Sequence, residues 1–130
     1  MKAFLSLAVG CLISLSAWAQ ETVAVNTGDI VSPELKNQTV TFKLLAPNAK
    51  KVVVEADFFE KVKRQTSFGM METPGQIPMV KGQDGVWTYT TSMPSPELHT
   101  YCFYVDGMRM LDPSNVYMIR DIATYTNYFL

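Results

Sequence analysis

Apolar and polar residues alternate with a period of two along most of this chain. Over residues 38–45, Val40, Phe42 and Leu44 fall on one face and Thr39, Thr41 and Lys43 on the other. Over residues 51–56, Val52, Val54 and Ala56 face one way and Lys51 and Glu55 the other, with Val53 marking the polar face as partly covered. Successive side chains of a strand point to opposite faces, so each run predicts a half-buried strand. Further strands are expected at residues 30–33, ended by Pro33, which cannot donate to a ladder. Others are expected at 77–81, pairing with 86–91 across Gly82-Gln83-Asp84-Gly85, at 98–105, at 108–111 and at 124–130. Asp84-Gly85 and Asp106-Gly107 flank runs of Val, Tyr, Trp and Thr. Asp-Gly takes up the positive φ angles of a type I′ turn, which matches the twist of paired strands, so both pairs predict hairpins.

Residues 58–76 break the alternation. A charged run (Glu60, Lys61, Lys63, Arg64) is followed by Ser67-Phe68-Gly69-Met70-Met71 and then Pro74-Gly75. This reads as a long excursion between strands, with Phe68, Met70 and Met71 as exposed apolar groups in want of cover. Roughly seven strands in about 100 residues, with no convincing helix, predict an all-β, immunoglobulin-like antiparallel β-sandwich. The Cys–Trp–Cys pattern of antibody domains is missing.

The N-terminus changes the picture of where this sandwich works. Met1-Lys2 is a short positive start, residues 3–16 are mostly apolar, and Ala17-Trp18-Ala19 places small residues where a signal peptidase reads. Residues 1–19 are therefore expected to be a signal-peptide helix cleaved before Gln20, with 20–29 a flexible linker and 30–130 the sandwich. The rival readings are a transmembrane anchor, for which the run is short, and a lipoprotein signal at Cys11. Export makes the expected location secreted or periplasmic, with no membrane association after cleavage. Cleavage also leaves Cys102 without a disulfide partner, so the fold must rest on its apolar core. A net charge of −1 offers no basic excess to hold nucleic acid.

Candidate chemistry is sparse. No G-x-S-x-G elbow is present, and His99, the single histidine, stands at the start of an apolar strand and is expected to be exposed. One histidine and one mature cysteine do not make a familiar zinc site, and Asp84, Asp106 and Asp112 are explained by turns. No catalytic residue, metal ligand or cofactor is expected. Aromatic side chains carry more interest, because sugars stack their C–H faces on them. Trp87, in phase with Tyr89, reads first as a core residue. Tyr104, Tyr117, Tyr125 and Tyr128 are the better candidates for an exposed aromatic face. Cys102 has no basic neighbour in sequence to lower its pKa and reads as a small strand residue.

Several short motifs occur in a recognisable order: Phe42-x-Leu44-x-Ala46-Pro47-Asn48-Ala49, Val52-Val53-Val54, Asp84-Gly85-Val86-Trp87, Tyr101-x-Phe103-x-Val105-Asp106-Gly107, Asp112-Pro113-Ser114-Asn115 and Thr126-Asn127. Together they resemble the early-set immunoglobulin-like domain of carbohydrate-binding module family 48, over about residues 30–130. That module precedes the catalytic domain of glycogen-branching and debranching enzymes, and a similar version precedes the hydrolase domain of secreted feruloyl and acetyl-xylan esterases. The Asp-Pro-Ser-Asn turn and the leader fit the esterase version better. The resemblance implies a non-catalytic accessory module with a hydrolase catalytic domain as partner, and a chain that is a fragment or truncated product. It also leaves room for an autonomous module binding a plant polysaccharide, or for a homodimerisation domain. Glucan-binding members use two tryptophans, a lysine and an asparagine on one face. Here those positions fall at Phe59-Glu60-Lys61, Cys102, Met108-Arg109 and Asn127. Tyr104, Arg109, Asn127 and Tyr128 are the candidate sugar contacts near that face.

Overall fold

The computed structural model describes residues 29–130, so the leader and nearly all of the linker lie outside the described residues. Its strands are β1 (Glu34–Lys36), β2 (Thr39–Leu45), β3 (Val52–Ala56), β4 (Lys61–Thr66), β5 (Gly69–Pro74) and β6 (Gln76–Pro78). They continue with β7 (Val80–Lys81), β8 (Val86–Ser92), β9 (His99–Val105), β10 (Met108–Met110), β11 (Met118–Arg120) and β12 (Tyr125–Phe129). One sheet runs β1-β2-β8-β7. The other runs β11-β12-β9-β3-β6, with β10 also paired to β9, and every pairing is antiparallel. This is an immunoglobulin-like sandwich, as the alternation predicts. Among the described residues no helix is long and apolar enough to cross a membrane.

The core follows from the period-two pattern. Val40, Phe42 and Leu44 of β2 are buried, and they meet Val52, Val54 and Ala56 of β3 and Tyr101, Phe103 and Val105 of β9. The Phe42 ring lies 4.8 Å from Tyr101 and 6.1 Å from Phe129, so aromatic contacts knit the two sheets together. Trp87 is a core residue whose Nε1 donates to the Ala46 carbonyl at 2.9 Å.

Four local expectations are corrected. First, residues 30–33 form no strand, and the edge begins at Glu34. Its connection to β2 is a tight turn in which Asn37 (φ 51°) and Gln38 (φ 60°) take left-handed angles without any glycine. Second, residues 58–76 are a hairpin of β4 and β5 rather than an irregular excursion. Third, residues 77–81 are not one strand. β6 pairs with β3, β7 pairs with β8, and Met79 plugs the core between them. Fourth, only one Asp-Gly turn has both residues at positive φ. Asp106 (48°) and Gly107 (87°) do so between β9 and β10. At the other, only Gly85 is positive (80°), and the Asp84 carboxylate accepts the Val86 N–H at 3.0 Å. A Cβ on Gly85 would stand 2.8 Å from the Pro47 Cβ, so glycine is required there by space as well as by angle.

β11 lies in a segment that alternation does not reveal. A polar cluster anchors this end of the sheet. The Asn127 side chain accepts the Asp112 N–H at 2.7 Å and donates to the carbonyls of Asn115 (3.0 Å) and Tyr117 (3.3 Å). The Tyr101 hydroxyl donates to Asp112 at 2.8 Å and accepts from Asn115 at 3.0 Å.

Candidate functional site

The antiparallel registers decide which side chains share the outer face of the six-stranded sheet. Tyr104 lies opposite Val53 of β3 on one side and Arg109 of β10 on the other. Cys102 lies opposite Glu55, and Glu55 opposite Gln76 of β6. Thr100 lies opposite Tyr128 of β12. Of the candidate contacts, Tyr104 and Arg109 are thus adjacent. Tyr128 is on the same face but four residues further along β9, about 13 Å at the usual strand rise. Its ring packs near Tyr117, with centroids 5.8 Å apart. Asn127 is a correction. It is fully buried, and its amide serves the turns described above rather than the surface. Tyr117 and Tyr125 are exposed, with Tyr125 stacked near Arg120.

The hairpin of β4 and β5 leans onto this face. Arg64 reaches the Glu55 carboxylate at 3.3 Å, and the same oxygen accepts from Gln76 at 2.8 Å. Beside these contacts is a depression of about 320 Å³ lined by Lys51, Val53, Arg64, Gln76, Tyr104 and Gly107. A second, of about 170 Å³, is lined in part by Glu55, Asp57, Thr100, Cys102, Arg109 and Asp121. Arg109 is held in place by its own donors, Nη1 to Thr124 Oγ1 at 3.1 Å and Nη2 to the Tyr125 carbonyl at 2.9 Å. Burial raises the Tyr104 phenol above its ordinary pKa, against the pull of Arg109 and Arg64.

Cys102 is buried in the floor of this face, and burial pushes its thiol up to about 11 despite Arg109. At pH 8 that shift reduces the thiolate fraction roughly hundredfold. Alkylation of Cys102 in the native protein is therefore expected to be at least tenfold slower than in urea. Peptide mass mapping of the alkylated residue checks this, and equal rates would contradict the burial.

One further correction concerns His99, and two more residues stand at positions where glucan binders carry tryptophan. His99 is buried rather than exposed. Its Nδ1 faces Asp57 Oδ1 at 3.1 Å and its Nε2 the Ser95 carbonyl at 2.9 Å, while the Ser95 hydroxyl bonds Glu97. Asp57 also accepts the Thr100 N–H at 2.9 Å, so the cluster pins the turn after β3 to the start of β9. Its partner in sequence is 42 positions away, so no local signal could have found it. Phe59, at a position where glucan binders carry tryptophan, is packed inward against Phe58 and Tyr89. Met108 is exposed, but it offers no aromatic plane.

A larger groove of about 510 Å³ lies at the other margin, lined by Pro33, Leu35, Val116, Tyr117 and Leu130 among others. Two of its polar groups are engaged inside the fold: Ser32 accepts the Lys43 N–H at 3.0 Å, and Asn115 donates to the Tyr101 hydroxyl.

No family model matches the chain, and no curated protein sequence does either. Solved structures do. The chain is similar to a pullulanase from Paenibacillus barengoltzii in complex with maltohexaose and α-cyclodextrin, at 22% identity and a TM-score of 0.53 over 81% of this chain. It is also similar to a pullulanase from Anoxybacillus sp. LM18-11 (21%, TM-score 0.50, 81% of this chain). A third match is the GBS pullulanase SAP in complex with maltotetraose (17%, TM-score 0.51, 83% of this chain). The chain spans only 14–15% of the length of these structures, and at such identities the likeness speaks to the fold.

Proposed function

We propose that this chain is a non-catalytic accessory module that binds carbohydrate for a polysaccharide-active hydrolase. The observation that carries the reading is the half-buried Tyr104 ring, set beside Arg109 and opening on a depression that also presents Gln76 and Lys51. An aromatic plane with several donors around it is the chemistry that grips a pyranose: C–H groups on the ring, hydroxyls on the amide and cations. Two of the pullulanases that share the fold were crystallised with maltooligosaccharides, which supports a sugar ligand. The Asp-Pro-Ser-Asn turn keeps a feruloyl or xylan esterase parent, acting on plant polysaccharide, within this proposal. So do export to the periplasm or beyond and a single domain over residues 30–130.

Titration calorimetry of the purified protein against maltohexaose and xylohexaose tests the reading. Measurable heats are expected with at least one sugar, falling about tenfold in affinity in Tyr104→Ala, in keeping with the loss of about one aromatic contact. Flat titrations with every oligosaccharide would remove it.

A second reading is favoured by a separate observation. Val116, Tyr117, Met118, Ile119, Ile122 and Leu130 are exposed along and beside the edge strand β11. An apolar sheet edge of this kind invites another protein surface, either the hydrolase domain or a second copy. Sedimentation equilibrium showing a monomer at high concentration would exclude the second copy.

A further inference from the structure

We propose that the sugar taken over Tyr104 is an acidic one, a uronate whose carboxylate is met by Lys51 and Arg64. This rests on the reading that the outer sheet face binds carbohydrate and names the class of sugar.

The argument starts from charge. The chain as a whole is slightly acidic, with a net charge of −1, yet the depression beside Tyr104 is lined by two cations, an amide and a phenol, with no acidic side chain. The acids nearby are occupied. Asp106 stands at the turn beside the depression, but its Oδ1 accepts the N–H groups of Lys50 (2.9 Å) and Lys51 (2.8 Å). Glu55 accepts from both Arg64 and Gln76. Asp121, which lines the neighbouring depression with Arg109, turns its Oδ1 to the N–H groups of Ala123 and Thr124, both at 2.9 Å. Among the ion pairs of the described residues, neither Lys51 nor Arg109 takes part.

Both cationic residues line the same depression. Lys51 is fixed through its backbone, which exchanges bonds with Asp106: its N–H goes to the carboxylate and its carbonyl accepts the Asp106 N–H at 2.9 Å. Arg64 is fixed by one guanidinium contact to Glu55, which leaves other donors of its fork open to the depression. The floor is Val53 and the Tyr104 ring, an apolar patch for the C–H face of a pyranose. A volume of about 320 Å³ suits one or two sugar units rather than a long chain. A guanidinium and an ammonium facing one carboxylate, with a ring beneath, discriminate an acidic from a neutral pyranose through charge-assisted hydrogen bonds. Neutral glucan would leave the Lys51 ammonium without an anionic partner, whereas Arg64 keeps its contact with Glu55.

The test is calorimetry of the whole protein with four probes: trigalacturonate, glucuronate-substituted xylotetraose, xylohexaose and maltohexaose. The uronates are expected to bind at least tenfold more tightly than the neutral sugars. That margin should shrink severalfold between about 50 mM and about 500 mM NaCl, as screening requires. Lys51→Ala is expected to cut uronate affinity about fivefold or more. Glu55→Gln, which frees Arg64 from its acid, is expected to raise it severalfold, a gain that misfolding cannot imitate. Neutral sugars binding as tightly as uronates would overturn the acidic preference and leave the sugar face standing. Uronate affinity unmoved by Lys51→Ala and by Glu55→Gln would also overturn it. Silence with all four probes would overturn both this inference and the function it rests on.

Discussion

Asn127→Ala is expected to destabilise the sandwich by roughly 3–5 kcal/mol, the effect of orphaning several buried partners at about 1–3 kcal/mol each. The side chain is fully buried and serves three backbone groups at once: the Asp112 N–H and the carbonyls of Asn115 and Tyr117. The Tyr117 carbonyl also accepts the Tyr128 N–H at 3.2 Å, so the loss falls mainly on the Asp112 N–H and the Asn115 carbonyl. Domains of this size have about 5–15 kcal/mol in hand, so the variant should melt far below the wild type or fail to accumulate. Urea unfolding followed by circular dichroism gives the number, and a loss below about 1 kcal/mol would mean that water replaces the amide.

Asn127→Asp sharpens the test through pH. It keeps an acceptor for the Asp112 N–H but loses both donors, and it sets a second carboxyl near Asp112, whose own pKa is already raised by burial. A buried acid with a raised folded pKa favours the native state at low pH, and that advantage is lost as pH rises through the folded value. The variant should therefore be weakest at neutral pH and recover part of its deficit on acidification. A deficit independent of pH would show that the added carboxyl is hydrated.

Phe42→Ala is the other large effect, about 3–5 kcal/mol by comparison with other buried phenylalanines. Phe42 is fully buried, and its ring touches Tyr101 at 4.8 Å and Phe129 at 6.1 Å, so its removal opens a cavity bounded by both sheets. Phe42→Leu, which refills much of that space, should restore more than half of the loss. Equal midpoints for the two variants would place the ring outside the tight packing described.

The sandwich was legible because β2 alternates cleanly and β3 and β9 nearly so, with Phe42, Val54 and Phe103 on the buried phase. The hairpin of β4 and β5 was not, because Lys61-Val62-Lys63-Arg64-Gln65-Thr66 has no apolar face and its turn, Ser67-Phe68, carries no hairpin signature. The turn at Asn37-Gln38 was hidden for the same reason: no glycine announces it. At the candidate site, Tyr104 and Arg109 could be named as exposed polar-aromatic positions, but their adjacency depends on the β9–β10 register set by the Asp106-Gly107 turn. The roles of Arg64 and Gln76 depend on contacts 9 and 21 residues away in sequence and on a hairpin that the pattern concealed, and that of Lys51 on a contact 55 residues away. Asn127 was named for the surface because it falls where glucan-binding members of the resembled family carry an asparagine, and only the fold around Asp112 and Asn115 shows that its amide serves buried turns.

The six residues from Gln76 to Lys81 bond first to one sheet and then to the other, with Met79 between them inside the molecule. Such a stitch ties the two layers through one short thread: sliding one sheet past the other would strain the ladder bonds this thread makes with both. Met79 is buried between the sheets, so resistance to cleavage at that bond reports on the integrity of the shared core rather than of one strand.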